Sequence, residues 1–446
     1  MNSPSVVIKS PVPNEYLYTL FKCLAFFTLM LMAIVDFRRG FLFAGFSQPW
    51  GYETRTPFFI FSPMQLLLLV IGMGGLMLSY RALKNQEALN SSIVPEKYLR
   101  WFSGTIFALI VIDLFTYRGV AATRAAFAHK VGADWLNAFG VSGWLKPFAL
   151  TGSYMLTVWH ATFLGILLSG LTLTLLPRFL NNFITRIGLR GSFSGTLFSL
   201  TQPFCSCCAS VIAPSMVRKG ASDYFVLAFV VGAPMLNITT LILSAMLLPA
   251  PYAALRIISG VAFTLLVTYA AVLLVSHQPA PLNPRSPGRI EQFALHWMER
   301  YSKIFQFDKL LGGRLANTPA TFIASWFSVS WRIALIVVPM LIVWSVVTAA
   351  IVQLLPSAFG NNLPSVLIAA VTGTLLINST WSEIPIALQM INAGYPGPAA
   401  TLLIVLPPVS LPCLLLLSGG LGHARIATAL GVIIMLCGFL IGAAFI

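Results

Sequence analysis

The chain has 446 residues, 58% of them hydrophobic and only 9% charged, with 27 Lys and Arg against 12 Asp and Glu and a formal net charge of +15 at pH 7. The mean hydropathy of +0.86 lies far above that of soluble domains, which excludes a soluble enzyme or binding module. The basic excess is assigned to loops facing cytoplasm and anionic headgroups, so lipid and a small solute are the expected partners and nucleic acid is not.

Runs of about 20 apolar residues, enough to cross about 30 Å of hydrocarbon as helix, lie near 17–35, 57–80, 101–117, 153–176, 223–247, 252–276, 328–355, 396–418 and 424–445. The first is followed by "DFRRG" without a small-residue cleavage signal and is read as a retained span. Asp113, near the end of the third, is expected at the interface, and His160 in the fourth is expected to serve helix packing. Between 118 and 151, charges and aromatics at helical spacing predict an interfacial amphipathic helix. Segments 193–217 and 364–391 are apolar but broken by proline and polar residues, and 277–325 is the longest polar connection. The division is therefore 1–150, N-terminal membrane helices and amphipathic segment; 151–276, a first membrane repeat; 277–325, a cytoplasmic linker; and 326–446, a second repeat.

The two repeats align at a constant offset of 174 residues: "CSCCASVIAPSMVRKG" (205–220) lies over "STWSEIPIALQMINAG" (379–394), with Ile212/Ile386, Ala213/Ala387, Met216/Met390 and Gly220/Gly394 shared and Pro234 falling on Pro408. Internal repeats of this kind are typical of secondary transporters. If 193–217 dips into the membrane and returns, Arg178, Arg186, Arg190, the Arg218–Lys219 pair and the 277–325 loop are all cytoplasmic, as the positive-inside bias asks. Each repeat then has three spans and one re-entrant segment, and that odd number inverts the second copy. Arg38, Arg39 and the 118–151 loop fall outside against the bias. The expected fold is thus an all-α polytopic membrane protein, built from two inverted repeats, each with a Pro-broken re-entrant segment, plus about three N-terminal transmembrane helices.

Irregular backbone at membrane depth is tolerated only where protein or a wet cavity satisfies its amides, so Pro203, Pro214, Pro234, Pro385, Pro407, Pro408 and Pro412, with Gly220 and Gly394 at the turns, are expected to mark a cavity. Cys205, Cys207 and Cys208 bring soft sulfur to it, suited to trivalent arsenic or thiophilic metal ions; Cys205 and Cys207 are the expected soft-solute ligands, sharing a face if the backbone is extended after Pro203. The alternative is that the cluster supplies small residues for close helix packing. Glu383, an ionisable residue at membrane depth, suits proton coupling; the alternative is a hydrated interfacial carboxylate or a structural pair with Arg332. Asn237, Asn378 and Ser379, with Thr380, offer amide and hydroxyl ligands, or ordinary interhelical hydrogen bonds. Cys23, Cys413 and Cys437 lie alone in apolar runs, and no disulfide framework is expected.

The stretch "PFCSCCASVIAPSMVRKGASDYFVLAFVVGAPMLN" resembles the signature of the ArsP-like, YraQ-type predicted permeases: Cys205-Ser206-Cys207, Arg218-Lys219-Gly220, Ala233-Pro234 and Asn237 fit it. The resemblance covers roughly 150–446 and leaves the three N-terminal spans outside. Val211 departs from the family's usual Pro, and Ser379 and Trp381 stand where a second cysteine pair would be. The resemblance implies a permease, and from its best-known members the efflux of trivalent organoarsenicals. The functional expectation is a multi-pass inner-membrane secondary transporter, not an enzyme, moving a small thiophilic or sulfur-containing solute outward with proton coupling and no cofactor, its oligomeric state open. The alternatives are a thiol-redox membrane enzyme and a non-transporting scaffold; no Gly-rich phosphate loop suggests an ATP-driven pump.

Overall fold

The computed structural model describes residues 14–35, 63–89, 96–127, 141, 143–179, 181–202, 204–276, 317–354, 360–376, 383–421 and 424–446. Among these the chain is helical and contains no strand. Three N-terminal helices, α1 (Asn14–Val35), α2 (Pro63–Leu89) and α3 (Glu96–Phe127), precede a first set of six: α4 (Lys146–Phe179), α5 (Gly188–Leu200), α6 (Ser206–Arg218), α7 (Asp223–Leu236), α8 (Ile238–Leu247) and α9 (Ala250–Ala262). A π-helical turn, Phe263–Val267, carries α9 into α10 (Thr268–Ser276). A second set follows as α11 (Pro319–Leu354), α12 (Leu363–Leu375), α13 (Glu383–Asn392), α14 (Pro396–Val405), α15 (Leu411–Leu421) and α16 (Ala424–Ala443).

Among the described residues, seven stretches are long and apolar enough to cross a membrane: Asn14–Ala33, Leu66–Leu89, Glu96–Phe115, Asp223–Leu247, Ala250–Leu274, Pro319–Ile351 and Arg425–Ala443. The protein is a multi-pass, all-helical membrane protein. Two expected spans look different here. The run expected at 396–418 is divided by a turn at 406–408, where two prolines withdraw backbone donors, into α14 and α15. The run expected at 153–176 contributes the shorter apolar stretch Trp159–Leu175 within the longer α4. Residues 118–127 continue α3, while 128–140, 142 and most of the expected linker, 277–316, lie outside the described residues. Asp113 is buried inside α3, which runs on to Phe127. His160 is buried beside Trp159, ring centroids 3.6 Å apart.

The two sets have matching order and spacing. Each helix of the first has a counterpart about 174 residues later: α4 and α11, α5 and α12, α6 and α13, α7 and α14, α8 and α15, α9 and α16. Turn chemistry repeats with them. After α6 the chain reverses at Gly220 (φ +92°), with the Ala221 amide donating to the Met216 carbonyl at 3.0 Å; after α13 it reverses at Gly394 (φ +82°), with Tyr395 donating to Met390 at 2.8 Å. This is the bond pattern of a left-handed glycine stop, where a Cβ would strain the backbone. Packing is reciprocal as well: α4 lies on its counterpart α11, α5 on α7 as α12 on α14, and α6 on α15 as α13 on α8.

Burial explains which helices are central. From Phe225 to Leu236 every residue of α7 is buried, as expected for a helix apolar on all faces. One core cluster joins the N-terminal helices and the first set to α11, α15 and α16; a smaller one joins Leu243, Leu248, Tyr252 and Ala253 of the first set to Ile384, Ala387, Ala399, Ala400 and Leu403 of the second. The N-terminal helices hold the start of α11. Glu87 of α2 accepts the Ala320 amide at 3.1 Å and the Tyr16 hydroxyl at 3.0 Å, so a carboxylate caps a helix N-terminus where the dipole favours it. Edge-on contacts of Phe27 with Trp326 and Phe102 with Phe322 continue the seam.

Without a hydrophobic drive between helices in lipid, close contact at small residues carries much of the association. Gly170 of α4 is such a point: a Cβ there would lie 2.2 Å from Ser330 Oγ and 3.1 Å from the Ser330 amide nitrogen of α11. Gly170→Val is therefore expected to cost about 1–3 kcal/mol or more, seen as a lower thermal unfolding midpoint in detergent. Gly104→Ala, where a Cβ meets nothing within 4 Å, is expected to leave that midpoint unchanged or raise it.

Candidate functional site

The first cluster forms where α7 stops. Pro234 lies inside α7 and lacks an amide hydrogen, and the helix ends two residues later, so carbonyls of the last turn lose their partners. Asn237 (φ −58°, ψ 145°) bridges the break: its Nδ2 donates to the Ala233 carbonyl at 2.7 Å, and its Oδ1 accepts the Thr240 amide of α8 at 2.9 Å. One side chain thus closes one helix and starts the next. Asn237 has the hydrogen-bonding role that stood beside the ligand role in the sequence.

Arg256 of α9 takes up the Pro234 carbonyl, Nη2 donating at 3.2 Å, and the same nitrogen donates to Glu383 Oε1 at 2.9 Å. Both side chains are 0% exposed. The partner of Glu383 is thus Arg256 of the first set, where the sequence offered Arg332. Arg256 places a cation at the C-terminal end of α7, and Glu383 places an anion in the first turn of α13. Each charge complements the helix end it touches. Desolvating two charges is costly, and the pair is tolerable because it is close and further hydrogen-bonded.

The second cluster is the thiols. The sequence made an extended backbone the condition for Cys205 and Cys207 to share a face, but α6 begins at Ser206 and Cys205 is its N-cap, its sulfur accepting the Cys208 amide at 3.3 Å. Helical spacing then brings together Cys205 and Cys208, three residues apart, with their sulfurs at 3.0 Å. The other half contributes too. Cys413, in the first turn of α15, is buried, and α15 packs on α6. Among the described residues no three His, Cys, Asp or Glu side chains gather to hold a metal ion.

Cys207 lies in the first turn of α6, Pro214 inside it, and Pro385 in the first turn of α13; Pro408 is in the turn before α15. Pro203, Asn378 and Ser379 lie outside the described residues. Lys219, of the basic pair after α6, donates from Nζ to the Leu173 carbonyl of α4 at 2.6 Å, which fastens the turn beside Gly220. Sequence reasoning missed two residues, Arg256 and Cys413. The rule that singled out Glu383, that an ionisable group at membrane depth is functional by default, applies equally to Arg256, five residues inside the run 252–276. Cys413 carried no such signal.

Residues 144–445 match the model of the ArsP group described as "Predicted permease". The UPF0718 protein YraQ of Escherichia coli K12 is 32% identical over 331 residues, 72% of this chain and 88% of its own length. The UPF0718 protein MJ0584 of Methanocaldococcus jannaschii is 26% identical over 295 residues, 56% of this chain and 80% of its own. No solved structure matches the chain significantly.

Removing one member of the buried pair strands the other charge. Arg256→Met or Glu383→Leu alone should cost about 3–5 kcal/mol, and the double variant should recover most of it. Unfolding midpoints of the parent, the singles and the double measure the coupling; additive losses would show that the two groups do not interact.

Proposed function

The chain belongs to this family of predicted permeases, and from that premise we propose that it is a secondary transporter whose two helix sets are inverted repeats rocking about a site at their junction. Three observations support the repeat itself, and three spans with one re-entrant segment in each copy would invert the second. The helices recur with equal spacing, the glycine turns match, and the packing is reciprocal, as a two-fold relation requires. The re-entrant reading rests on length: α6 has 13 residues and α13 has 10, about 20 Å and 15 Å of helix at 1.5 Å per residue, against about 30 Å of hydrocarbon. On this reading 151–276 and 326–446 are the two repeats, 277–325 is a cytoplasmic connection, and the protein resides in an inner membrane.

The solute is a small thiophilic compound, and the observation that carries this is the Cys205–Cys208 sulfur pair at 3.0 Å on the N-terminal end of α6, on which α15 with its Cys413 packs from the other set. Two thiols match an arsenical with one organic substituent, which has two exchangeable positions on trivalent arsenic; efflux is the direction that the family resemblance carries. Glu383 couples this movement to protons. Neutralising it removes its attraction for Arg256 and loosens the tie between the sets. A second reading, a membrane thiol–disulfide enzyme, is favoured by the same pair, because Cys-x-x-Cys at a helix N-terminus is a redox arrangement.

In proteoliposomes the parent should move trivalent methylarsenic. Cys205→Ser and Cys208→Ser should each lower the flux about tenfold or more, a loss of at least about 1.4 kcal/mol in binding, with Cys437→Ser unchanged. Flux indifferent to Cys205 and Cys208 would overturn the thiol site. Absence of flux together with a trapped mixed disulfide on either residue would establish the enzyme reading instead.

A further inference from the structure

We propose that Arg256 is the docking point for an anionic group on the transported solute, and that the Glu383 carboxylate occupies that point in the present state. A guanidinium has five N–H donors and stays charged in proteins. Here only Nη2 is used, by Glu383 and the Pro234 carbonyl. Among the described residues, Nε and Nη1 of the same wholly buried side chain find no hydrogen-bond partner. Buried donors left unmet on a charged group are costly and uncommon. The Asn237 amide, beside the Pro234 carbonyl that Arg256 reaches, is used at both ends.

The unmet capacity extends to a neighbouring helix. Thr240 and Ser244 stand one turn apart on α8, and their hydroxyl oxygens are also buried without a partner. That helix packs against both α9, which carries Arg256, and α13, which starts at Glu383. Two N–H-bearing nitrogens of a guanidinium and two hydroxyls, all without partners among the described residues, thus lie on helices that pack together.

Stereochemistry gives the mode of entry. Both two-donor edges of a guanidinium, Nε with Nη2 and Nη1 with Nη2, include the nitrogen now bonded to Glu383. An oxyanion gripping the fork with two oxygens, as carboxylates, sulfonates and phosphonates do, therefore displaces Glu383. Glu383 is then a resident competitor that keeps the cation paired while the site is empty of solute. This goes beyond the soft-solute reading: it rests on the permease assignment and on the contacts of Arg256, and not on the cysteines.

The test uses the full-length chain in detergent with two probes, ethanesulfonate (anion, no soft centre) and trivalent methylarsenic (soft, no anionic group), with binding followed by calorimetry and folding by thermal unfolding. The parent should bind ethanesulfonate. Glu383→Gln, which removes the competitor and keeps the shape, should bind it about tenfold more tightly, whereas a purely structural ion pair predicts weaker or unchanged binding. Arg256→Gln/Glu383→Gln, which carries neither charge, should lose ethanesulfonate binding and stands in if the single variant does not fold. No binding by the parent, or equal binding by the parent and the double variant, would overturn the proposal. Trivalent methylarsenic binding that fails or ignores Cys205 and Cys208, while the ethanesulfonate results hold, would sink the thiol site and leave the anion site standing.

Discussion

The arrangement depends on one buried contact, the ion pair between Arg256 and Glu383, 127 residues apart in sequence and wholly removed from solvent. Neither charge could be left at this depth alone. Each needs the other, and each also needs the helix end it touches: the C-terminal carbonyl edge of α7 for the cation and the N-terminal turn of α13 for the anion. The breaks in the helices are therefore as necessary as the charges. Pro234 and Asn237 end α7 where a cation can reach it, and Glu383 sits in the first turn of α13. An uninterrupted helix at either place would have no free end to offer.

The apolar surroundings of the pair come from both sets of helices. Tyr252 and Ala253, close to Arg256 in α9, belong to the same cluster as Ile384 and Ala387, which follow Glu383 in α13. Ion pair and apolar contact thus join the same two surfaces. The N-terminal helices are fastened through Glu87 at the start of α11 and the aromatic contacts around Trp326, and α3 also packs on α8 and α13. The family match begins after them, at residue 144.

Much of this was legible in the sequence, and what was not has a physical reason. The 174-residue offset located the counterpart helices because Gly220, Gly394, Pro234 and Pro408 are dictated by local backbone geometry. Glu383 stood out because a carboxylate in an apolar run is expensive. Its partner did not, since which of two distant basic residues folds back to meet it is a tertiary fact. The pairing within the thiol cluster turned on where α6 starts. A helix beginning at Ser206 joins Cys205 to Cys208, whereas the extended backbone considered from the sequence would have joined Cys205 to Cys207. Cys413 was invisible for a similar reason, being brought to α6 only by the packing of α15. That Asp113 is buried within α3 is likewise a matter of packing, since near the end of an apolar run the sequence marks only a costly carboxylate.

Sidedness is where the account is most exposed. If the two helix sets are inverted copies meeting around the buried pair, the glycine turns after α6 and α13 must face opposite compartments. Single cysteines introduced at Ala221 and Tyr395, in a background whose native cysteines do not react, can be labelled in oriented membrane vesicles with an impermeant thiol reagent. The account predicts that position 221 reacts only from the cytoplasmic side and position 395 only from the other. Labelling of both from the same side would contradict it.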